Sequence, residues 1–257
     1  MILAIDIGNS NIVIGGIGAD AVPNNVFRMV TDILKTGDEY TVVMKQILEF
    51  NGIDLKDITG AIISSVVPPL TESFRSAVKR VTGLDALIVG SGIKTGLNIL
   101  IDNPGELAGD MLAVAIGATE KYKPPIIMID MGTATKICVI NASGAYIGGA
   151  ICPGVGLSAN TLSSGTALLP KVSIEAPKNA IRGETIGAMR SGIVFGAAAM
   201  IDGMITRFEE ELGMGATRVA TGGFSSAVIP HCKSEIILDD NLLLTGLQIL
   251  YDKNRKN

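Results

Sequence analysis

Blocks of apolar and polar residues alternate along this chain and divide it into short strands and longer helices. The first block reads Met1-Ile2-Leu3-Ala4-Ile5-Asp6-Ile7-Gly8-Asn9-Ser10-Asn11-Ile12-Val13-Ile14: apolar, then Asp-x-Gly, then small polar residues, then apolar again. Ile126-Ile127-Met128-Ile129-Asp130-Met131-Gly132-Thr133-Ala134-Thr135-Lys136-Ile137-Cys138-Val139-Ile140 repeats that order. Each fits a strand, a tight turn carrying a carboxylate and a glycine, and a return strand. Two such hairpins predict a duplicated domain with two phosphate-facing loops opposite each other. That arrangement suits an ATP-dependent phosphotransferase.

Between the hairpins the pattern predicts a polar segment, then a helix from about Glu39 to Asn51 closed by Gly52. Ala61–Val67 reads as a buried strand ended by Pro68-Pro69. A helix follows at Thr71–Thr82, then a strand at Ala86–Val89. Asp102-Asn103-Pro104-Gly105-Glu106 signals a loop leading into a helix over Gly109–Tyr122. Pro124-Pro125 marks the expected boundary, giving domains 1–123 and 124–257, with the last helix free to pack back on the first. The second half predicts a strand from Tyr146 into a glycine-rich turn at Gly154. Helices are expected at Gly156–Leu162, Thr185–Leu212 and Leu242–Asn254, with a short strand from Arg218 ending at Gly222-Gly223. Strands and helices alternate throughout, which makes the class α/β.

Composition narrows the function. The chain has 257 residues, 47% hydrophobic and 18% charged. No uninterrupted apolar run reaches the roughly 18 residues of a membrane span. The most apolar helical stretch, Ile193–Ile205, is broken by Gly196, Asp202 and Gly203, and reads as a core or subunit-interface helix. The start lacks a basic segment and is interrupted by Asp6, so no secretory leader is expected. Cys138, Cys152 and Cys232 are odd in number and widely spaced, which fits reduced thiols in the cytoplasm. Net charge is −4 and aromatics are 4%, so neither nucleic-acid nor membrane binding is expected. The basic tail Lys253-Asn254-Arg255-Lys256 reads as a solvated, frayed end.

A carboxylate at the end of a buried strand is costly unless it holds a metal, a hydrated metal or a hydrogen-bond partner. Asp6 and Asp130 both stand there. Gly8 lets the backbone approach a ligand, and the N–H groups after it can cradle phosphate oxygens. One such turn is equally an ordinary hairpin; its repetition favours function. Thr221-Gly222-Gly223 suits an adenosine ring lying against the backbone. Asp110 is either a helix cap or the base that takes a hydroxyl proton. His231 reads as structural.

The duplicated hairpins resemble the acetate and sugar kinase, heat-shock chaperone and actin superfamily. Within it the chain is similar to the type III pantothenate kinases. The likeness is carried by Ile5–Asn11, Ile62-Ile63-Ser64-Ser65-Val66-Val67-Pro68-Pro69, Lys94-Thr95-Gly96 and Asp102-Asn103-Pro104. It continues in Asp130–Thr135, Gly148–Gly154, Met189-Arg190-Ser191-Gly192, Ala220–Gly223 and Leu244-Thr245-Gly246-Leu247. The resemblance implies two duplicated actin/ribonuclease H-like domains with the active site in the cleft between them. It implies ATP-dependent phosphorylation of pantothenate, the first step towards coenzyme A, by a homodimer using Mg²⁺ and a monovalent cation, K⁺ or NH₄⁺. Asp6, Gly8, Asn9, Ser10 and Asn11 would hold phosphates, with Asp6 reaching Mg²⁺ through water. Gly132, Thr133, Gly222 and Gly223 would contact ATP, Asp130 the monovalent cation, and Asp110 would be the base. Gly109, Met111, Ile101 and Thr185 would line the acceptor, Thr185 across the dimer interface.

Three positions depart from that pattern. Family members usually carry arginine where this chain has Met111 and tyrosine where it has Ile101, so the acceptor pocket is expected to be more apolar. Lys136 replaces an uncharged residue. It is either a solvated lysine or an ammonium standing in for the monovalent cation. Two alternatives remain open: a related kinase with another small-molecule acceptor, and a nucleotide-binding regulator without turnover.

Overall fold

The computed structural model describes residues 1–18 and 23–255. Along the chain run β1 (Ile2–Ile7), β2 (Asn11–Ile17), β3 (Pro23–Val30), α1 (Gly37–Phe50), β4 (Gly60–Ser65), α2 (Pro68–Thr82) and β5 (Leu87–Ile88). Then come β6 (Asn98–Ile99), α3 (Gly109–Lys121), β7 (Ile126–Met131), β8 (Ala134–Ile140), β9 (Ala145–Pro153) and α4 (Val155–Ser164). The chain ends with α5 (Thr185–Leu212), β10 (Thr217–Thr221), α6 (Ser225–Val228), β11 (Ile237–Leu238) and α7 (Leu242–Asn254).

These elements form two compact units. The first holds Met1–Gly96, Asn103–Glu120 and Asn241–Asn257; the second holds Leu97–Asp102 and Lys121–Asp240. In the first, the sheet order is β3-β2-β1-β4-β5; in the second it is β11-β10-β7-β8-β9-β6. Read from β7 outward, the second repeats the first. An antiparallel hairpin leads to a third strand on one side, and a parallel strand pairs on the other. The α/β class and the duplicated architecture are therefore both present.

In the first unit, every residue of β1 is buried. Leu3, Ile5 and Ile7 join Ile12, Ile14 and Ile63 in a core, covered by α1 and α2. The amphipathic spacing of α1 buries Tyr40, Met44 and Leu48, and a Thr36/Glu39 capping box starts it. The opposite face, with Ile2, Ala4, Asp6, Ile62 and Ser64, is buried as well. Burial on both faces is why β1 reads as a continuous apolar run rather than an alternation.

That second face is covered by α7, which comes last in sequence yet belongs to the first unit. Gly15 lies against the Leu244 side chain, and Gly60 against the Tyr251 hydroxyl. Where α7 crosses α3, Gly246 meets the Ala113 carbonyl and Gly117 the Leu242 carbonyl. Two glycines thus let the helix backbones touch.

Three expectations need correction. The segment after the first hairpin is a third strand, β3, whose exposed Val26 and Val30 obscure the period-2 alternation that half-buries Phe27 and Met29 against the core. Pro68-Pro69 opens α2 at its first two positions, where missing N–H groups cost nothing. The tail is not frayed up to Asn254: Lys253 donates to the Thr95 carbonyl at 3.2 Å. Asn254 accepts from Lys94 N–H at 2.8 Å and donates to its carbonyl at 2.9 Å. Lys256 lies outside the described residues.

In the second unit, α4 and α5 cover the face bearing Ile127, Ile129, Met131, Ile137 and Val139. By length and composition α5 is able to cross a membrane. Here Ile193, Val194, Ala198, Ile201 and Ile205 instead form the core of this unit.

Gly246→Ala drives a methyl into the Ala113 carbonyl. Overpacking of this kind costs about 1–3 kcal/mol or more, so the urea midpoint of the variant is expected to fall well below that of the native chain.

Candidate active site

In the first unit, Asp6 stands opposite Val13 on β2 and beside Ser64 on β4. The loop closes by Gly8 N–H donating to Asn11 carbonyl at 3.0 Å. A side chain at Gly8 would press on that same carbonyl. Thr31, just past β3, clamps the loop from outside. Its N–H donates to Ser10 carbonyl at 3.1 Å and its hydroxyl to Gly8 carbonyl at 2.6 Å. Asn9, Ser10 and Asn11 are exposed at the tip, whereas Asp6 is buried beneath it.

Asp110 is the second residue of α3 and is buried. Its Oδ1 accepts from the N–H of Met111 at 2.7 Å. Gly109, just before it, brings the helix start against β4: a Cβ there would lie 3.3 Å from Ser64 Oγ and 3.1 Å from Val89. The first unit therefore assembles Asp6, the Gly8–Asn11 loop and the Asp110 turn around Ser64. Met111 is itself buried.

The second unit repeats the turn one residue shorter. Gly132 N–H donates to Ala134 carbonyl at 3.1 Å, and Asp130 stands opposite Lys136. Lys136 Nζ lies 3.2 Å from Asp130 Oδ2, with both side chains largely buried. Lys136 is thus ion-paired rather than solvated. Gly222 adopts φ +98°, and its Cα crowds the Met131 backbone so closely that a Cβ would approach to 2.6 Å. Phe224 N–H donates to Met131 carbonyl at 3.1 Å. Gly154, at the start of α4, lies against the carbonyls of Gly132 and Thr133. The second loop, the Gly222-Gly223 turn and the α4 start are therefore packed as one piece, with Thr133 and Gly223 exposed.

Nearby, Asp239 N–H donates to Ala220 carbonyl at 2.9 Å, and its carboxylate accepts from Lys121 at 2.7 Å and Tyr122 at 2.9 Å. Burial, then the bond to Asp239, pushes the Tyr122 hydroxyl up to about 12, so it remains a donor near neutrality. Thr185 is exposed at the first position of α5. The preceding Glu184 caps that helix, and the Gly187 N–H holds its carboxyl below the usual range. Ile101 also belongs to the second unit, packed near Gly148.

Sequence reasoning missed Thr31, because it missed β3, and gave Gly154 no role. The signal for Gly154 was its place in Pro153-Gly154, where a strand turns directly into a helix.

A family model for type III pantothenate kinase matches residues 2–207. The type III pantothenate kinase of Moorella thermoacetica is 37% identical over 254 residues, covering 99% of this chain and 100% of its own. That of Brevibacillus brevis is 39% identical over 255 residues, with 99% and 100% covered. Among solved structures, the (R)-2-hydroxyglutaryl-CoA dehydratase component A of Acidaminococcus fermentans superposes with a TM-score of 0.57 over 97% of this chain and 96% of that one. At 12% identity that likeness concerns the fold alone.

Proposed function

The chain belongs to the type III pantothenate kinase family, and we propose that it transfers the γ-phosphoryl group of ATP to pantothenate, the first step of coenzyme A biosynthesis. The observation that carries this reading is the duplicated carboxylate turn, with Asp6 and Asp130 at equivalent strand ends, in a chain that matches such kinases from end to end.

Phosphoryl transfer asks a protein for alignment, charge neutralisation and a base beside the attacking hydroxyl. Asp110 is that base and takes the proton of the pantothenate primary alcohol. Gly109, Met111, Ile101 and Thr185 line the acceptor. The Gly8–Asn11 loop and Gly132-Thr133 hold phosphates, and Gly222-Gly223 receives the adenosine. Among the described residues no three His, Cys, Asp or Glu side chains gather into a metal-binding group. Asp6 would hold Mg²⁺ through water while nucleotide phosphates and water would bind it directly, a donor set that suits this ion. When bound, it neutralises charge on the phosphate oxygens. Met111 lacks the guanidinium usual in the family, and loss of one charge-assisted bond weakens pantothenate binding by about ten- to a hundredfold.

Asp130 is the family's expected ligand for K⁺ or NH₄⁺, and Lys136 already places a cation 3.2 Å from it. We assign Lys136 the role of that ion. A homodimer completes the reading. Between α4 and α5 a groove is lined by Leu157, Leu162, Gly196, Ala197 and Met200, and Ile151 and Ile186 are exposed in the same unit. A second copy covers this face and presents Thr185 to the acceptor. Cys138, Cys152 and Cys232 form no disulfide, which suits the reducing cytoplasm.

Asp110→Asn is expected to lower pantothenate-dependent ADP release roughly 100- to 10,000-fold while Mg-AMPPNP still binds; native turnover in the variant contradicts the assignment. Turnover of the native enzyme should be equal in potassium and choline buffers, and Lys136→Met should make it potassium-dependent. Strong activation of the native enzyme by K⁺ removes the Lys136 assignment. Light scattering should read about twice the chain mass of 26.7 kDa; a monomeric mass contradicts the dimer.

A further inference from the structure

Few polar side chains are buried. Ser191 donates to Ala180 carbonyl at 2.6 Å, and Ser225 to Gly222 carbonyl at 2.7 Å. Two buried hydroxyls, those of Thr135 and Ser64, have no such bond, and Ser64 is the one in the first unit. It is 0% exposed, and its Oγ has no hydrogen-bond partner among the described residues. Buried hydroxyls are nearly always bonded, so an orphan calls for a reason.

Turn closure is not the reason. The adjacent Ser65 does that work, its hydroxyl donating to Val67 carbonyl at 3.2 Å and accepting from Val67 N–H at 3.1 Å. Space is not a sufficient reason either. Gly109 packs close by, so that a Cβ there would lie 3.3 Å from Ser64 Oγ, which favours a small residue at position 64. Alanine meets that limit without burying an unpaired hydroxyl.

Position offers a better account. Ser64 stands in register with Asp6 on the neighbouring parallel strand, so the two side chains share one face of the sheet. The same pairing recurs in the second unit, where buried Thr221 stands in register with Asp130. Each duplicated carboxylate therefore has a hydroxyl-bearing residue beside it. What the sheet repeats is a carboxylate–hydroxyl pair as well as an Asp-x-Gly turn. An ionised carboxylate only accepts, so a bond between such partners must run from the hydroxyl.

We propose that Ser64 is a positioning residue: with Mg-nucleotide bound, its hydroxyl donates to the Asp6 carboxylate and fixes the direction in which that carboxylate faces the ion. The inference rests on the reading of Asp6 as the Mg-nucleotide carboxylate. In the ligand-free protein the hydroxyl stays unpaired, so it weakens the empty fold and contributes only when the site is filled.

That gives opposite signs in two measurements on Ser64→Ala. The ligand-free melting temperature should hold or rise, because an orphan polar atom leaves the core. The dissociation constant for Mg-AMPPNP by calorimetry, and the half-saturating Mg²⁺ in turnover, should each rise about tenfold, with KM for pantothenate unchanged. Asp6→Asn should weaken Mg-AMPPNP binding, and adding Ser64→Ala to it should bring no further loss, since the serine acts through Asp6. A lower ligand-free melting temperature with native nucleotide affinity makes Ser64 a packing residue and overturns the proposal. Additive losses in the double variant overturn it too. Asp6→Asn with native Mg-AMPPNP affinity removes the reading of Asp6 together with the proposal. Lost affinity in Asp6→Asn alongside native affinity in Ser64→Ala removes the proposal alone.

Discussion

A carboxylate held at the end of a fully buried strand is the constraint on which this molecule turns. β1 is buried on both faces, one by α1 and α2 and the other by α7. Such packing delivers Asp6 to the strand end with little freedom. It also strips the carboxylate of solvent, which is unfavourable unless the surroundings supply donors or a cation. The tight Gly8–Asn11 turn, with its exposed tip and its Thr31 clamp, is the kind of backbone that a phosphate completes.

The second unit meets the same constraint in another way. Its loop is one residue shorter, and Asp130 faces Lys136, whose ammonium is held at 3.2 Å. An internal counter-ion makes this carboxylate tolerable without any added metal. Val13 occupies the equivalent position opposite Asp6 and offers no charge. The two halves have therefore diverged at the residue across from the aspartate.

Much of this was legible in the chain. Both hairpins stood out because strands buried on two faces give unbroken apolar runs, interrupted only by an aspartate near the strand end. The limits of α5 and α7 also followed from pattern. β3 did not, because Val26 and Val30 put apolar residues on its exposed side and erased the alternation. Thr31 was lost with it. The seating of α7 in the first unit depends on Gly246 and Gly117 meeting carbonyls from distant residues, and glycine in a helix carries no hint of its partner. Ser64 illustrates a deeper limit. Its residue type is unremarked in a strand, and only the three-dimensional structure shows that its hydroxyl is buried and unpaired. Family resemblance singled out Asp110, Thr133 and Gly222; the register of each sheet shows that Asp6 and Asp130 stand at equivalent strand ends.

The central claim is that these loops serve transfer of phosphate to pantothenate, despite methionine at position 111. The most direct measurement is the product itself. The purified native protein, given Mg-ATP and pantothenate, is examined by mass spectrometry, with phosphorus–proton coupling locating the new ester. The account predicts pantothenate carrying one phosphoryl group on its 4′-oxygen. Intact binding of Mg-ATP with no phosphorylated pantothenate contradicts it, and moves the acceptor to another alcohol.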